Sequence, residues 1–154
     1  DSYMGTVASV SFKNMLVANK PTHIQRKSSS PNPITLDDYK YGYKITRKTA
    51  LEIENILGKS LQTLKVYGIG GVHYYSVSKF IDQKVYSAEN IKSVIEKNLY
   101  QTDEQLGGGA YVSTSISNLI LVEGLMQSLK IDRVTALKVN LTEGVVASSQ
   151  YWNK

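Results

Sequence analysis

Three consecutive glycines, Gly107, Gly108 and Gly109, interrupt the chain just before Tyr111-Val112-Ser113-Thr114-Ser115-Ile116-Ser117. Glycine takes positive φ freely, so the chain on either side of this point must be built from separate elements. Tyr111, Val112 and Thr114 are aromatic or β-branched and read as a short strand. A helix is expected just beyond, with Ser117 or Asn118 as N-cap and Leu119, Val122, Leu125, Met126 and Leu129 as its apolar stripe. The hydroxyls of Ser113, Thr114 and Ser115 then fall at a strand end, beside a helix start and next to a flexible loop, a common place for a ligand site. Local bonding explains such residues too, because Ser and Thr at strand ends bond nearby backbone. The glycines are not a Walker-type phosphate loop, since no Gly-Lys-Ser/Thr follows them.

All three prolines, Pro21, Pro31 and Pro33, lie around Ser28-Ser29-Ser30. Residues 18–35 are therefore expected to form a loop or arm, either a connector or a partner-binding arm. Before it, residues 6–17 alternate apolar and polar positions in part and read as a strand or short helix. After it, Tyr39, Tyr41, Tyr43 and Ile45 alternate with Lys40 and Lys44, which predicts a strand over 39–46. A helix over 48–57 ends at Gly58 as C-cap, and 61–67 reads as another strand. Residues 72–80 and 81–86 read as extended. Ser87 caps a helix over 88–99, with Ile91, Val94, Ile95 and Leu99 as its stripe. A strand is expected over 134–141 and a last extended segment over 145–152. With no repeat of fixed period, the whole chain, 1–154, reads as a single α+β domain.

Composition narrows the chemistry. The absence of cysteine excludes disulfides, thiol nucleophiles and Cys-ligated zinc. His23 and His73 are the only histidines; they do not form a zinc-hydrolase spacing, and no Gly-x-Ser-x-Gly elbow supports a serine hydrolase. No run of about 18 apolar residues predicts a membrane span. No signal peptide is visible at Asp1, and a chain starting there is either a processed secreted protein or a shortened one. The net charge of +5 favours acidic partners such as nucleic acid, anionic lipid or a phosphorylated ligand, unless it marks only a solvated face. Eleven tyrosines against two phenylalanines fit either surfaces that stack on rings or edge strands.

The segment Tyr111-Val112-Ser113-Thr114-Ser115-Ile116-Ser117 resembles the aromatic-x-Ser-Thr-Ser strand of the mono-ADP-ribosyltransferase toxins, the class of the cholera and pertussis toxin catalytic chains. The helix after it and Ala136-Leu137-Lys138-Val139-Asn140 fall where that family has a helix and a core strand. Tyr43-Lys44-Ile45-Thr46-Arg47 is similar to its opening Tyr-Arg strand, and 144–152 resembles the pertussis chain. The resemblance implies an ADP-ribosyltransferase-like α+β fold of two small, roughly perpendicular β-sheets with flanking helices. It implies NAD as substrate, a macromolecular acceptor, a partner chain or delivery subunit, and a protein that is secreted or acts in the cytoplasm of a target cell. Ser113, Thr114 and Ser115 would be catalytic, and Tyr43, Lys44, Arg47 and Tyr111 would hold NAD.

Two departures accompany the resemblance. Lys44 stands where the family has arginine and lacks the planar, bidentate fork. The family's Glu-x-Glu or Gln-x-Glu pair is missing: Glu123, Asp132 and Glu143 are the only acids after Ser115, and Glu143, in a Thr-Glu-Gly turn, is the remaining candidate carboxylate. The expectation is a transferase whose catalytic C-terminal segment is missing from this chain. Two alternatives stand beside it: an inactive ADP-ribosyltransferase-like binding or assembly module, and, with the resemblance set aside, a basic nucleic-acid-binding domain.

Overall fold

The computed structural model describes residues 9–21, 29–57 and 64–139. In chain order these form α1 (Ser9–Ala18), α2 (Leu36–Leu57), β1 (Val66–Gly68), a π-helical segment (Val72–Val77) running into the short α3 (Ser78–Ile81), β2 (Val85–Tyr86), α4 (Ala88–Asn98), α5 (Val112–Ser128) and β3 (Val134–Ala136). Helices dominate. The described strands form one open sheet of order β1-β3-β2. The expected pair of perpendicular sheets is therefore corrected to a helical assembly with one small sheet at its side.

The helix α5 is the centre of the assembly. Eleven of its residues are buried, from Ser115 through Gly124 together with Met126. A helix apolar on all sides must be surrounded, and α1, α2, α4 and the π-helical segment all pack on it. Phe12 and Leu16 from α1, Ile91 and Ile95 from α4, and Ile116, Leu119 and Ile120 of α5 are essentially inaccessible to water. Each such side chain contributes about 1.5–3 kcal/mol by leaving water.

The expected strand at Tyr111–Ser115 is instead the start of this helix. The loop before it has the anticipated backbone, with φ of +97°, +65° and +95° at Gly107, Gly108 and Gly109. The hydroxyls after it turn back onto the helix: Thr114 Oγ1 donates to Tyr111 O (2.9 Å), Ser115 Oγ to Val112 O (2.6 Å) and Ser117 Oγ to Thr114 O (3.2 Å). Such bonds let Ser and Thr sit inside a helix with their hydroxyls satisfied. Tertiary burial of Ile116, Leu119 and Ile120 then overrides the strand preference of the preceding residues.

A second strand expectation, over 39–46, is overturned in the same way. Residues 36–57 form one helix of 22 residues. Its start is fixed by Thr35 and Asp38. The Thr35 N–H (2.9 Å) and Oγ1 (2.8 Å) donate to Asp38 Oδ2, and the Asp38 N–H donates to Thr35 Oγ1 (3.1 Å). This reciprocal cap satisfies the first backbone donors of the helix. Lys20 Nζ reaches the same Oδ2 at 2.9 Å and Pro33 O at 2.8 Å, tying the end of α1 to the start of α2. Burial pushes the Asp38 carboxyl up, but the Thr35 N–H, Lys20 and the Thr35 hydroxyl outweigh it and hold it below its ordinary value. Within 18–35, residues 29–35 carry no regular structure but are pinned: Ser30 Oγ and Asn32 Nδ2 each donate to Asp103 Oδ1 at 2.8 Å.

The α2–α5 contact is unusually close. Asp38, Gly42, Thr46 and Ala50 are the buried positions of α2, a spacing of four that places them on one helix face. A Cβ on Gly42 would stand 2.9 Å from Ile120 Cγ2 and 3.1 Å from Phe12 Cζ, and a Cβ on Gly124 would overlap Thr46 Oγ1.

Elsewhere the pattern is closer to expectation. Ser87 caps α4 through a reciprocal pair of bonds with Asn90, and 6–17 resolves as helix over its described part. Residues 72–80 are helical rather than extended. The end of the expected strand 61–67 and the start of 134–141 pair, with Val66, Tyr67 and Gly68 beside Val134, Thr135 and Ala136 in parallel; 61–63 and 140–141 lie outside the described residues. Val85 and Tyr86 run antiparallel to Thr135 and Val134. The predicted segment 145–152 lies outside the described residues.

The helix contact generates a stability test. Gly124→Ala is expected to cost about 1–3 kcal/mol, because overpacking against a buried, β-branched Thr46 leaves little room to relax. Gly71→Ala, where an added Cβ meets open space, is the control and is expected to be near neutral. Urea unfolding of the two variants beside the parent chain measures both.

Candidate functional site

The residues expected to form one site are separated. Ser113, Thr114 and Ser115 lie on the first turns of α5, with the hydroxyls of Thr114 and Ser115 bonded to local carbonyls. Tyr111 precedes the helix and is 84% exposed. Tyr43, Lys44 and Arg47 lie on α2, where Lys44 and Arg47 are exposed. The Tyr43 hydroxyl donates to Gln127 Oε1 at 3.0 Å, which places it at the far end of α5 from Ser113, roughly 20 Å away along the helix axis at 1.5 Å per residue. Glu143 lies outside the described residues. The transferase reading is corrected accordingly. Among the described residues there is neither the sheet core that brings those strands together nor the catalytic cluster they would form. The toxin and its inactive form lose the fold they came with.

Two other arrangements stand out. The first is a polar cluster between α2 and α5. Glu123 is fully buried in mid-α5. Gln127 Nε2 donates to Glu123 Oε1, and the Gln127 carbonyl in turn accepts from Tyr43. The Tyr39 phenol faces the carboxyl from α2, yet Glu123 Oε2 has no hydrogen-bond partner of good geometry. Burial pushes the Glu123 carboxyl up to about 7, with Glu89 adding to the shift and Tyr39, Lys92 and Gln127 opposing it. Burial and then the Glu123 charge push the Tyr39 phenol up. Beside the cluster lies an open groove of about 570 Å³ whose lining includes Met126, Gln127, Ile131 and Lys130. Glu123 itself has no exposed atom to touch a substrate, so this cluster stores a proton in the helix packing rather than offering it to a ligand.

The sequence offered one signal for this cluster, a lone acid within Ile120-Leu121-Val122-Glu123-Gly124-Leu125-Met126. Elsewhere, His73 Nδ1 lies 2.6 Å from the buried Tyr86 hydroxyl. Burial holds the imidazole below its ordinary value and the Tyr86 phenol above it. His73 is the only imidazole among the described residues, and one of its ring nitrogens is thus engaged. No group of three His, Asp or Glu that could hold a metal ion occurs among the described residues.

The second arrangement is the outer face of the sheet. Gly68, Val134, Ala136 and Tyr86 point into the core, and their neighbours Tyr67, Thr135 and Val85 point out. The register aligns these three in one row, because Thr135 pairs with Tyr67 on one side and Val85 on the other. Tyr67 is 54% exposed and Val85 46%. Leu64, Lys65 and Arg133 join them around a shallow groove of about 430 Å³. Tyr67 and Tyr86 lie on the sheet's outer strands, but Tyr39, Tyr41 and Tyr43 lie on α2 and Tyr74 and Tyr75 on the π-helical segment, so edge strands account for only a small part of the tyrosine excess. Strands of two and three residues are too short for sequence alternation to reveal which side faces water.

No helix among the described residues is long and apolar enough to cross a membrane. Comparison with protein-family models, curated proteins and solved structures finds no match, so the functional reading rests on the geometry of the chain itself.

The Glu123 cluster predicts a pH dependence of stability. The carboxyl titrates near 4.5 when unfolded and near 7 when folded, so between these values the folded state keeps a proton that the unfolded state has lost. Its contribution is complete below about pH 4.5, declines as pH rises and is gone above about pH 7, a total of about 3 kcal/mol. The opposite effect of Asp38 lies below its ordinary value of 3.8, outside this window. Burial of His73, held below its ordinary value of 6.5, acts with the opposite sign inside this window and is common to both chains, so the test is a difference: in denaturant unfolding between pH 5 and 7.5, the stability of the parent chain relative to Glu123→Gln is expected to fall as pH rises.

Proposed function

We propose that this chain is a protein-interaction module whose docking surface is the outer face of the sheet. The observation that carries the reading is the row Tyr67–Thr135–Val85. A sheet with one face on a core ordinarily turns polar residues outward, whereas here two of the three outward positions are large and apolar. Leu64, at 55% exposure, and Leu137, at 37%, extend the apolar surface. Tyrosine and arginine are the residues on which binding energy concentrates at protein interfaces, and both stand at this groove. Tyrosine suits the position because its ring is buried on contact while its hydroxyl stays wet. The helical body then acts as a scaffold, holding the sheet through the buried side of the same three strands.

A photo-crosslinking amino acid placed at position 67 tests this reading in the cells that make the protein. Position 51 is a matched control, because Leu51 is also 54% exposed but lies on α2. Discrete protein adducts are expected from position 67 and none from position 51. Equal labelling at both positions, or none at either, contradicts the assignment of the surface.

A further inference from the structure

The side of α2 turned away from the body is a second surface, independent of the sheet. Asp38, Gly42, Thr46 and Ala50 pack inward. On the opposite side Leu36, Lys40, Lys44, Arg47 and Leu51, all exposed, fall within an arc of about 80° at 3.6 residues per turn. Tyr41 and Lys48 flank this stripe and are exposed too. Between Leu36 and Leu51 the exposed charges are four cations and one acid, Asp37, whose Oδ1 lies 3.8 Å from Lys40 Nζ. Lys44, Arg47 and Lys48 enter no ion pair among the described residues, and Glu52 and Glu54 come only after Leu51. We infer that this stripe rests on an anionic lipid surface, with its cations against the headgroups and Leu36 and Leu51 buried just below them.

The helix α4 supplies a comparison within the molecule. Its exposed charges mix both signs, Glu89, Lys92, Glu96 and Lys97, with Lys92 Nζ 3.9 Å from Glu96 Oε1, and it exposes no large apolar side chain. That is the ordinary face of a solvated helix. The α2 stripe differs in both respects, since its cations are unbalanced and Leu36 and Leu51 are exposed.

The order of residues along the stripe selects the occupant. A protein interface puts apolar anchors at its centre and charges on its rim, whereas here cations hold the centre and leucines the two ends. A nucleic acid would use the cations but leave two leucines, about 22 Å apart along the helix, in water. A lipid surface takes both parts. It is flat, so it meets the whole length of one helix face at once. Its anionic headgroups draw the cations. Leucines enter the boundary beneath the headgroups while the long lysine and arginine stems keep their charges at the level of the phosphates. A single face of this kind gives reversible, salt-sensitive attachment.

The test is co-sedimentation of the intact chain with vesicles, made either of phosphatidylcholine alone or of phosphatidylcholine with about one third phosphatidylserine. The chains compared are the parent, Lys44→Glu/Arg47→Glu, Leu51→Ser and a control of equal charge change, Lys97→Glu/Lys138→Glu, at exposed positions on α4 and after β3. All the altered side chains are exposed, and circular dichroism verifies that each variant keeps its helix content. A short single-stranded oligonucleotide is the second probe. Binding is expected only to the phosphatidylserine vesicles and is weakened by added salt. It falls about tenfold or more in Lys44→Glu/Arg47→Glu, about threefold in Leu51→Ser, and less in the control pair than in either. Absence of binding to the anionic vesicles, or a loss in the control pair equal to that in Lys44→Glu/Arg47→Glu, overturns the assignment of this face. Binding indifferent to Leu51→Ser, or an oligonucleotide held more tightly than the vesicles through the same cations, overturns a lipid surface as its occupant.

Discussion

The close approach of α2 to α5 at Gly42, Thr46 and Gly124 sets the spacing at which the rest of the molecule is assembled. Neither glycine could carry a side chain without meeting Ile120, Phe12 or Thr46. Because the helix backbones come so near, Phe12 and Leu16 of α1 can close over Ile120 from a third direction, and all three end up fully buried. The same contact brings Tyr39 and Tyr43 opposite Glu123 and Gln127. Widening it by a methyl group would disturb the apolar packing and the polar cluster together, since interiors packed at crystal density transmit local strain to their neighbours.

Two buried carboxyls show how the number of donors decides the state of an acid. Asp38 accepts from the Thr35 backbone, the Thr35 hydroxyl and Lys20 on a single oxygen, and it is held as an anion. Glu123 accepts from Gln127 on one oxygen and has no well-placed partner on the other, and it is driven toward the neutral acid. Burial opposes ionisation in both; only in Asp38 do hydrogen bonds and a paired charge overcome it. The first carboxylate fixes a helix start, and the second makes the central helix contact depend on pH.

The parts of the fold that were legible in the sequence are those whose signal is local. Ser87 with Asn90 as cap, and Ile91 and Ile95 as an apolar stripe, define α4 without help from the rest of the chain. Tyr39, Tyr41, Tyr43 and Ile45 misled because a spacing of four satisfies both periodicities: Tyr39 and Tyr43 share a side in a strand and also on a helix. The deciding residues were the small ones beside them, Gly42, which meets Ile120, and Thr46, which meets Gly124, each partner about eighty residues away. Ser113, Thr114 and Ser115 misled for a related reason, since their hydroxyls can cap a strand end or fold back onto a helix and only the burial of Ile116 and Leu119 selects between the two. Tyr67 and Val85 were invisible as a pair because their alignment is a property of β3 lying between them.

The claim on which the whole account turns is that residues 39–46 and 112–117 are helical and meet in one packed body. Carbon-13 secondary chemical shifts of the backbone in solution measure this residue by residue. The account predicts continuous helical deviations at Cα and C′ across both stretches, through Tyr39–Thr46 and through Ser113–Ser117. Strand-signed deviations in either stretch would contradict it, because they would remove the α2–α5 contact that positions the core, the Glu123 cluster and the sheet beside them.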